Sequence, residues 1–271
     1  MKNPTMKSVK IISFSPTGTT RRVLERIAQG LAFKRVEHLD LTCKKTRAGT
    51  VRRIDEDLAL VGTPVYTGRV PIQAAEALRT IRAHGAPAVF VVVYGNRAYD
   101  DALLELKAIV EEVGLRPLAA AAFIGEHSFS TVATPLAAGR PDGKDLEKAR
   151  SFGKLLRETV ERIGRRREVN PLDIPGNPRF RERVSLDISP ESRKDLCTLC
   201  RKCEEVCPQE AITSAGSSIE TDRGKCILCC ACVKSCPAGA RQVTDPRMSQ
   251  LVQKLTVLCR ERKEPEFFFA K

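Results

Sequence analysis

Nine of the chain's eleven cysteines fall between Cys197 and Cys236. They form two copies of one pattern, Cys197-x2-Cys200-x2-Cys203-x3-Cys207-Pro208 and Cys226-x2-Cys229-x2-Cys232-x3-Cys236-Pro237. Each ligand position recurs 29 residues later, as do Pro208 in Pro237 and Ala211 in Ala240. An internal duplication predicts a pseudo-twofold module. Three cysteines two residues apart can wrap a loop round one corner of an iron–sulfur cubane. The fourth, followed by proline, turns away and ligates the other cubane. This predicts one [4Fe–4S] cluster on Cys197, Cys200, Cys203 and Cys236, and a second on Cys226, Cys229, Cys232 and Cys207. Two structural zinc sites are the competing reading, but their usual signature is a pair of separated CxxC knuckles. Cys230 lies outside both repeats and reads as a small buried residue, and Cys43 and Cys259 read as non-ligands.

Residues 194–245 resemble the bacterial ferredoxins with two [4Fe–4S] clusters, and the resemblance covers the whole module. Clusters held by crossed ligands lie close together, so an electron can hop between them.

A second set of residues sits near the N-terminus. Ser15-Pro16-Thr17-Gly18-Thr19-Thr20 joins a short apolar run to a helical repeat. A phosphate there would meet free backbone N–H groups and the positive end of a helix dipole. The hydroxyls of Ser15, Thr17, Thr19 and Thr20 could donate to it, and Gly18 permits close approach. The absence of GxGxxG disfavours a dinucleotide. Over residues 7–163 the chain resembles flavodoxins, which implies bound FMN. The resemblance also implies that residues 63–69 (with Pro64, Tyr66 and Thr67) and 94–100 (with Gly95, Asn96 and Tyr99) hold the isoalloxazine ring, Tyr66 and Tyr99 being the aromatic candidates. Flavodoxins are usually acidic; Arg69 and Arg97 depart from that pattern and predict a flavin that is easier to reduce.

The elements that must position these residues alternate. Apolar runs over residues 9–14, 36–41, 58–61, 88–93 and 118–124 read as strands. Residues 24–31, 72–81, 103–113 and 145–163 repeat at helical spacing. This predicts an α/β, flavodoxin-like, doubly wound five-stranded parallel sheet with a small α+β ferredoxin domain. Ligands of such sheets bind beyond the strands' carboxyl ends. The expected layout is a flavodoxin-like FMN domain at 1–163, a basic Pro-containing linker at 164–193, a 2[4Fe–4S] ferredoxin domain at 194–245 and a C-terminal helical tail at 246–271. In the tail, Met248, Leu251, Val252, Leu255 and Leu258 form a stripe expected to pack on the protein's own body. Phe267, Phe268 and Phe269 have no assigned place.

The chain has 271 residues and a net charge of +13, part of it in Arg165, Arg166 and Arg167. A basic surface fits an acidic redox protein or oxidoreductase as partner. Nucleic acid is not expected, because no binding motif accompanies the charge. No apolar run approaches the roughly 18 residues of a membrane span, and the first residues do not form a signal peptide. Clustered thiols then imply a reducing, cytoplasmic setting. The whole chain resembles the flavodoxin–ferredoxin fusion proteins of anaerobic bacteria and archaea. Two functions follow. One is an electron carrier between the clusters and FMN. The other is an FMN-dependent reductase of a small acceptor, although His38, His84 and His127 are isolated and form no acid–base pair. The linker leaves two arrangements, docking within one chain or pairing between chains of a homodimer.

Overall fold

A computed structural model of the protein describes residues 6–49, 51–163 and 171–270, with the side chains of 161–163 excepted. Arg165, Arg166, Arg167 and the start of the linker lie outside the described residues. The large domain runs β1 (Ser8–Ser13), α1 (Thr19–Leu31), β2 (Arg35–Asp40), α2 (Lys44–Arg47), β3 (Arg52–Arg53), β4 (Leu58–Pro64), α3 (Ile72–Leu78), β5 (Ile81–Arg82), β6 (Pro87–Tyr94), α4 (Ala102–Glu112), β7 (Arg116–Ile124) and α5 (Gly143–Ile163). The small module and tail add β8 (Glu191–Ser192), α6 (Lys202–Glu205), β9 (Ile212–Ala215), β10 (Ser218–Thr221), α7 (Ala231–Lys234), β11 (Arg241–Gln242), α8 (Pro246–Leu258) and β12 (Glu266–Phe269).

Alternating side chains along each central strand separate two cores, as the strand period of two requires. Val89, Val91 and Val93 of β6 join Ala119, Ala121 and Phe123 of β7 beneath α1 and α5. Phe90, Val92 and Tyr94 join Ala120, Ala122 and Ile124 on the opposite face, with α3 and α4. Helices therefore cover both faces. The sheet order is β12-β7-β6-β4-β1-β2, and β2, β1, β4, β6 and β7 are mutually parallel neighbours. Counting only these five in chain order gives 2-1-3-4-5, the flavodoxin-like doubly wound order.

α1 and α5 touch through glycines. A Cβ on Gly30 would stand 2.0 Å from the Arg150 carbonyl oxygen, and one on Gly153 would stand 2.1 Å from that of Ile27.

The sheet differs from the five-stranded expectation at one edge. β12 adds antiparallel to β7, with Phe267 opposite Ala121 and Phe269 opposite Ala119. The tail is thus helical only through α8, and its phenylalanines form a strand. The alanines of β7 leave room above them for aromatic rings. Phe267 stacks on Phe152 of α5, with centroids 4.7 Å apart and planes 12° apart. Capping β7 in this way also removes an open edge from the sheet. In α8, Met248 and Leu255 are buried, but Leu258 stays exposed. The helix packs on Leu136 and Phe129, in the segment after β7.

The small module repeats its backbone as well as its sequence. Left-handed residues occur at Leu199 and Leu228, Arg201 and Cys230, and Glu210 and Gly239, each pair 29 positions apart. The two short ribbons, β8 with β11 and β9 with β10, obey the same offset. Reciprocal bonds tie the halves: Arg193 N–H donates to the Ala240 carbonyl at 2.9 Å, and Asp222 N–H donates to that of Ala211 at 2.8 Å. Linker residues Leu172 and Ile174 are buried in the large domain's core. The linker's Asn177 and Arg181 donate their N–H groups to the Asp101 carboxylate. This segment straps the domain rather than spanning open solvent.

Candidate functional site

The left-handed turns at Leu199 and Arg201, and at Leu228 and Cys230, curl each CxxCxxC loop so that its thiols face inward. Cys197, Cys200, Cys203 and Cys236 line one space. Cys207, Cys226, Cys229 and Cys232 line a second, and Cys230 joins them there. The motif cysteines of each space therefore come three from one repeat and one from the other. Backbone amides face the sulfurs: Ala211 N–H donates to Cys207 Sγ at 3.3 Å, and Leu228 N–H to Cys226 Sγ at 3.4 Å. Among the described residues, no three Cys, His, Asp or Glu side chains converge on a single-ion position. The thiols stand apart around a void, which suits a bulky cluster better than a tetrahedral zinc ion with sulfur bonds of about 2.3 Å. Burial pushes the Cys229 thiol up to about 12, and also raises Cys203, Cys226 and Cys232. Buried thiols of this kind ionise only against a strong local cation.

The two spaces differ in surroundings. Cys200 is exposed, as are Leu196 and Leu199 beside it. Cys229, Cys230 and Cys232 are buried. Ile227 packs against the large domain's core. Tyr66 has its hydroxyl raised well above its ordinary value, by burial first and then by the nearby thiols of Cys229 and Cys230. The second space therefore faces the large domain at the loop after β4.

Polar contacts fix that docking. Lys44 pairs with Glu210 at 2.9 Å, and Arg47 donates to the Pro208 carbonyl. Lys234 donates to the Ser130 carbonyl at 2.6 Å and pairs with Glu126 at 2.5 Å. Lys44 and Arg47 follow β2, Tyr66 follows β4, and Glu126 and Ser130 follow β7. All lie beyond carboxyl ends of the parallel strands, the edge where such sheets bind ligands.

The loop after β1 lies at that same edge. Gly18 caps α1 with φ +80, and a Cβ there would meet nothing within 4 Å. Ser15 Oγ accepts from the Arg21 N–H at 3.1 Å, which leaves its own hydroxyl hydrogen free to donate. Thr17 and Thr19 hydroxyls are 3.4 Å apart. Thr20 Oγ1 is buried without a hydrogen-bond partner, and so is Thr63 Oγ1 beside Pro64. A buried hydroxyl without a partner is costly, and a phosphate oxygen at the head of α1 would satisfy Thr20. These residues fit a phosphate-bearing cofactor.

Residues 66–69 form a tight turn, with Tyr66 and Arg69 exchanging backbone hydrogen bonds at 3.0 Å and Thr67 and Gly68 left-handed. Tyr66 is thereby presented between the strand edge and the cysteine module.

The loop after β6 departs from its expected role. Asn96 is buried and its side chain is spent on the tail: Nδ2 donates to the carbonyls of Cys259 at 2.8 Å and Glu261 at 2.7 Å, and Oδ1 accepts from the Lys263 N–H at 3.2 Å. Tyr99 donates its hydroxyl to Glu266 at 2.9 Å and meets Tyr94 edge-on. Gly95 receives the Cys259 thiol on its carbonyl and faces the His127 ring, which a Cβ would strike at 2.3 Å. Asn96 and Tyr99 therefore hold the C-terminal tail. Arg69 makes a two-pronged pair with Glu105 at 2.8 and 2.9 Å, a carboxylate it shares with Arg183, and Arg97 pairs with Asp100, which it shares with Arg181. Each carboxylate thus serves two guanidinium groups, and these loops keep an excess of positive charge.

His127 is pushed down to about 4, by burial first and then by Lys234 and Arg97. Its Nδ1 accepts from the Phe129 N–H at 3.1 Å. His38 hydrogen-bonds Ser13 at 2.8 Å, and His84 is exposed.

Sequence reasoning passed over the Lys234 anchor and the Asn96 clamp, which join residues more than a hundred positions apart. It also passed over Arg241, for which a signal existed: the repeat places Ile212 at the matching position.

Residues 189–251 match the family model of the 4Fe-4S dicluster domain. No curated protein matches the chain. Among solved structures it is similar to a flavodoxin from the domain Archaea, at 14% identity over 57% of this chain and 99% of that one, with a TM-score of 0.38. A flavodoxin of Streptococcus pneumoniae TIGR4 is 19% identical over 56% of this chain and 99% of its own, with a TM-score of 0.40. A flavodoxin, WrbA-like protein of Agrobacterium tumefaciens is 16% identical over 58% and 98%, with a TM-score of 0.35. Likeness this distant leaves the fold to be read from the strand order itself. Among the described residues, no helix is long and apolar enough to cross a membrane.

Proposed function

We propose that this chain, in which a flavodoxin-like domain is fused to a 4Fe-4S dicluster domain, passes electrons between two [4Fe–4S] clusters and a bound FMN on behalf of an acidic redox partner. The observation that carries this reading is the docking of the cysteine module on the carboxyl edge of the sheet through Lys44, Arg47 and Lys234. When bound, the clusters supply one-electron exchange and FMN supplies one- or two-electron exchange.

The protein's residues supply placement. Cys197, Cys200, Cys203 and Cys236 hold the outer cluster, beside the exposed Leu196 and Leu199, where a partner can reach it. Cys207, Cys226, Cys229 and Cys232 hold the inner one. Ser15, Thr17, Gly18, Thr19 and Thr20 take the flavin phosphate on the head of α1. Pro64, Tyr66 and Thr67 flank the ring, whereas Gly95 is packed against His127 and opens no space beside it. Lys44, Arg47 and Lys234 keep the module on this edge, so a partner chain is not needed to close the path. Bounds of 1–163 for the flavin domain and 194–245 for the cluster domain need one extension, because β8 (Glu191–Ser192) pairs with β11 and so belongs with the cluster domain. The tail, residues 246–271, serves the large domain through β12 and the Asn96 clamp. A net charge of +13 supports an acidic partner steered by its field, and free thiols at every described cysteine fit a reducing compartment.

The reductase alternative needs a proton donor at the flavin edge. His127, held neutral and bonded to Phe129, does not offer one at neutral pH. The test is anaerobic purification with iron, acid-labile sulfide and flavin counted per chain. About eight iron atoms, about eight sulfides and one FMN are expected. Zinc in place of iron, or iron for one cubane only, would overturn the reading.

A further inference from the structure

Arg241 breaks the module's internal symmetry. The 29-residue repeat pairs it with Ile212, and both are buried, Arg241 to 2% exposure. Burying an unpaired charge is strongly unfavourable. Yet Arg241 has no carboxylate partner among the described residues. Nη1 donates to Ser192 Oγ at 3.0 Å, and Nη2 to Thr221 Oγ1 and the Pro190 carbonyl at 2.7 Å. Ser192 and Thr221 are themselves related by the repeat, so the guanidinium lies between the two halves. It lines both cysteine spaces. Nη2 is 3.9 Å from Cys232 Sγ, and Nε is buried with no partner at all.

We infer that Arg241 is a positioning residue that supplies the shared counter-charge of the two clusters and donates its free Nε–H to cluster sulfur. Each thiolate-bound cubane is an anion, and two such anions held close repel each other. A buried cation between them offsets that repulsion and favours the reduced, more negative state. In return the clusters offset the burial of the guanidinium. Because Ile212 occupies the mirror position, the device is single, and it leaves the two clusters inequivalent.

The role of Arg241 rests on two clusters being bound, and the experiment separates the two claims. Wild type, Arg241→Gln and Arg241→Lys are purified anaerobically as full chains. Iron and sulfide are counted, and cluster midpoints are read by redox titration followed by electron paramagnetic resonance. Arg241→Gln is expected to keep its iron and to shift the midpoints to more negative potentials. Arg241→Lys, which keeps the charge, is expected to shift them less. Midpoints unchanged in Arg241→Gln at full iron content would overturn the role and leave the clusters standing. Wild type without iron would overturn both. Should Arg241→Gln fail to assemble, reduced wild type grown on 15N-arginine decides the question. A 15N spin-echo modulation on the cluster signal, lost in Arg241→Lys, is expected, and its absence in wild type would contradict the proposal.

Discussion

Asn96 shows how a single side chain can be committed elsewhere than its loop position implies. It sits in the left-handed region, at φ 69, in a loop at the expected flavin edge. Among the described residues its amide nevertheless bonds to residues 259–263, and a chain pattern cannot display contacts across that separation. Asn96→Ala removes these bonds and leaves buried carbonyls unpaired, which should cost about 3 kcal/mol. The expected outcome is a lower denaturation midpoint, with faster tryptic cleavage at Arg260, Arg262 and Lys263. His127 gives a pH test. Its folded value of about 4 lies below the ordinary 6.5, so between these limits the unfolded chain takes up a proton that the folded chain refuses. Stability should fall as pH drops through that window, by at most about 3 kcal/mol. In His127→Gln this part of the loss should vanish. Parallel stability profiles of the two proteins from pH 7 to 5 would contradict it. The grouping of the motif cysteines around two spaces, by contrast, was legible in the sequence, because the motif spacings are short and local. Arg241 was legible only as a flaw in the repeat.

At the scale of elements, the four inner parallel strands and their helices could be read from periodicity, since each buries a continuous apolar face, whereas the edge strand β2 is largely exposed. β12 could not. Its pairing with β7 joins residues far apart in sequence, and three consecutive phenylalanines have neither strand nor helix alternation. The same aromatics explain why β7 is built from alanine. The contact between α1 and α5 was hidden too, because a glycine in a helical pattern reads as a weak point rather than as a crossing. Gly30→Ala would drive a methyl group into the Arg150 carbonyl. The helices would have to separate, at a cost of about 2–3 kcal/mol. The measurable result is a lower melting temperature with flavin binding retained, since the loop of residues 15–20 lies at the far end of α1. The linker was legible as irregular, from its prolines. Its strapping role was not, because that depends on backbone N–H groups reaching the Asp101 carboxylate.

For the whole molecule, the decisive feature is that the cysteine module rests on the edge of the sheet where flavodoxin-like folds bind their ligand. The sequence announced two modules and left their arrangement open. Lys44, Arg47 and Lys234 close that question through contacts with opposite charges and carbonyls on the facing domain. Such contacts are individually weak at exposed sites, but together with the packing of Ile227 they set one orientation. That orientation puts one cysteine set outward and the other toward the large domain. The most direct measurement is flash photoreduction of the anaerobic full-length protein, following iron–sulfur and flavin absorbance as electrons redistribute. The account predicts a first-order redistribution whose rate does not change on dilution and which slows in Lys234→Glu, where like charges face each other at Glu126. A rate that falls in proportion to protein concentration would contradict it.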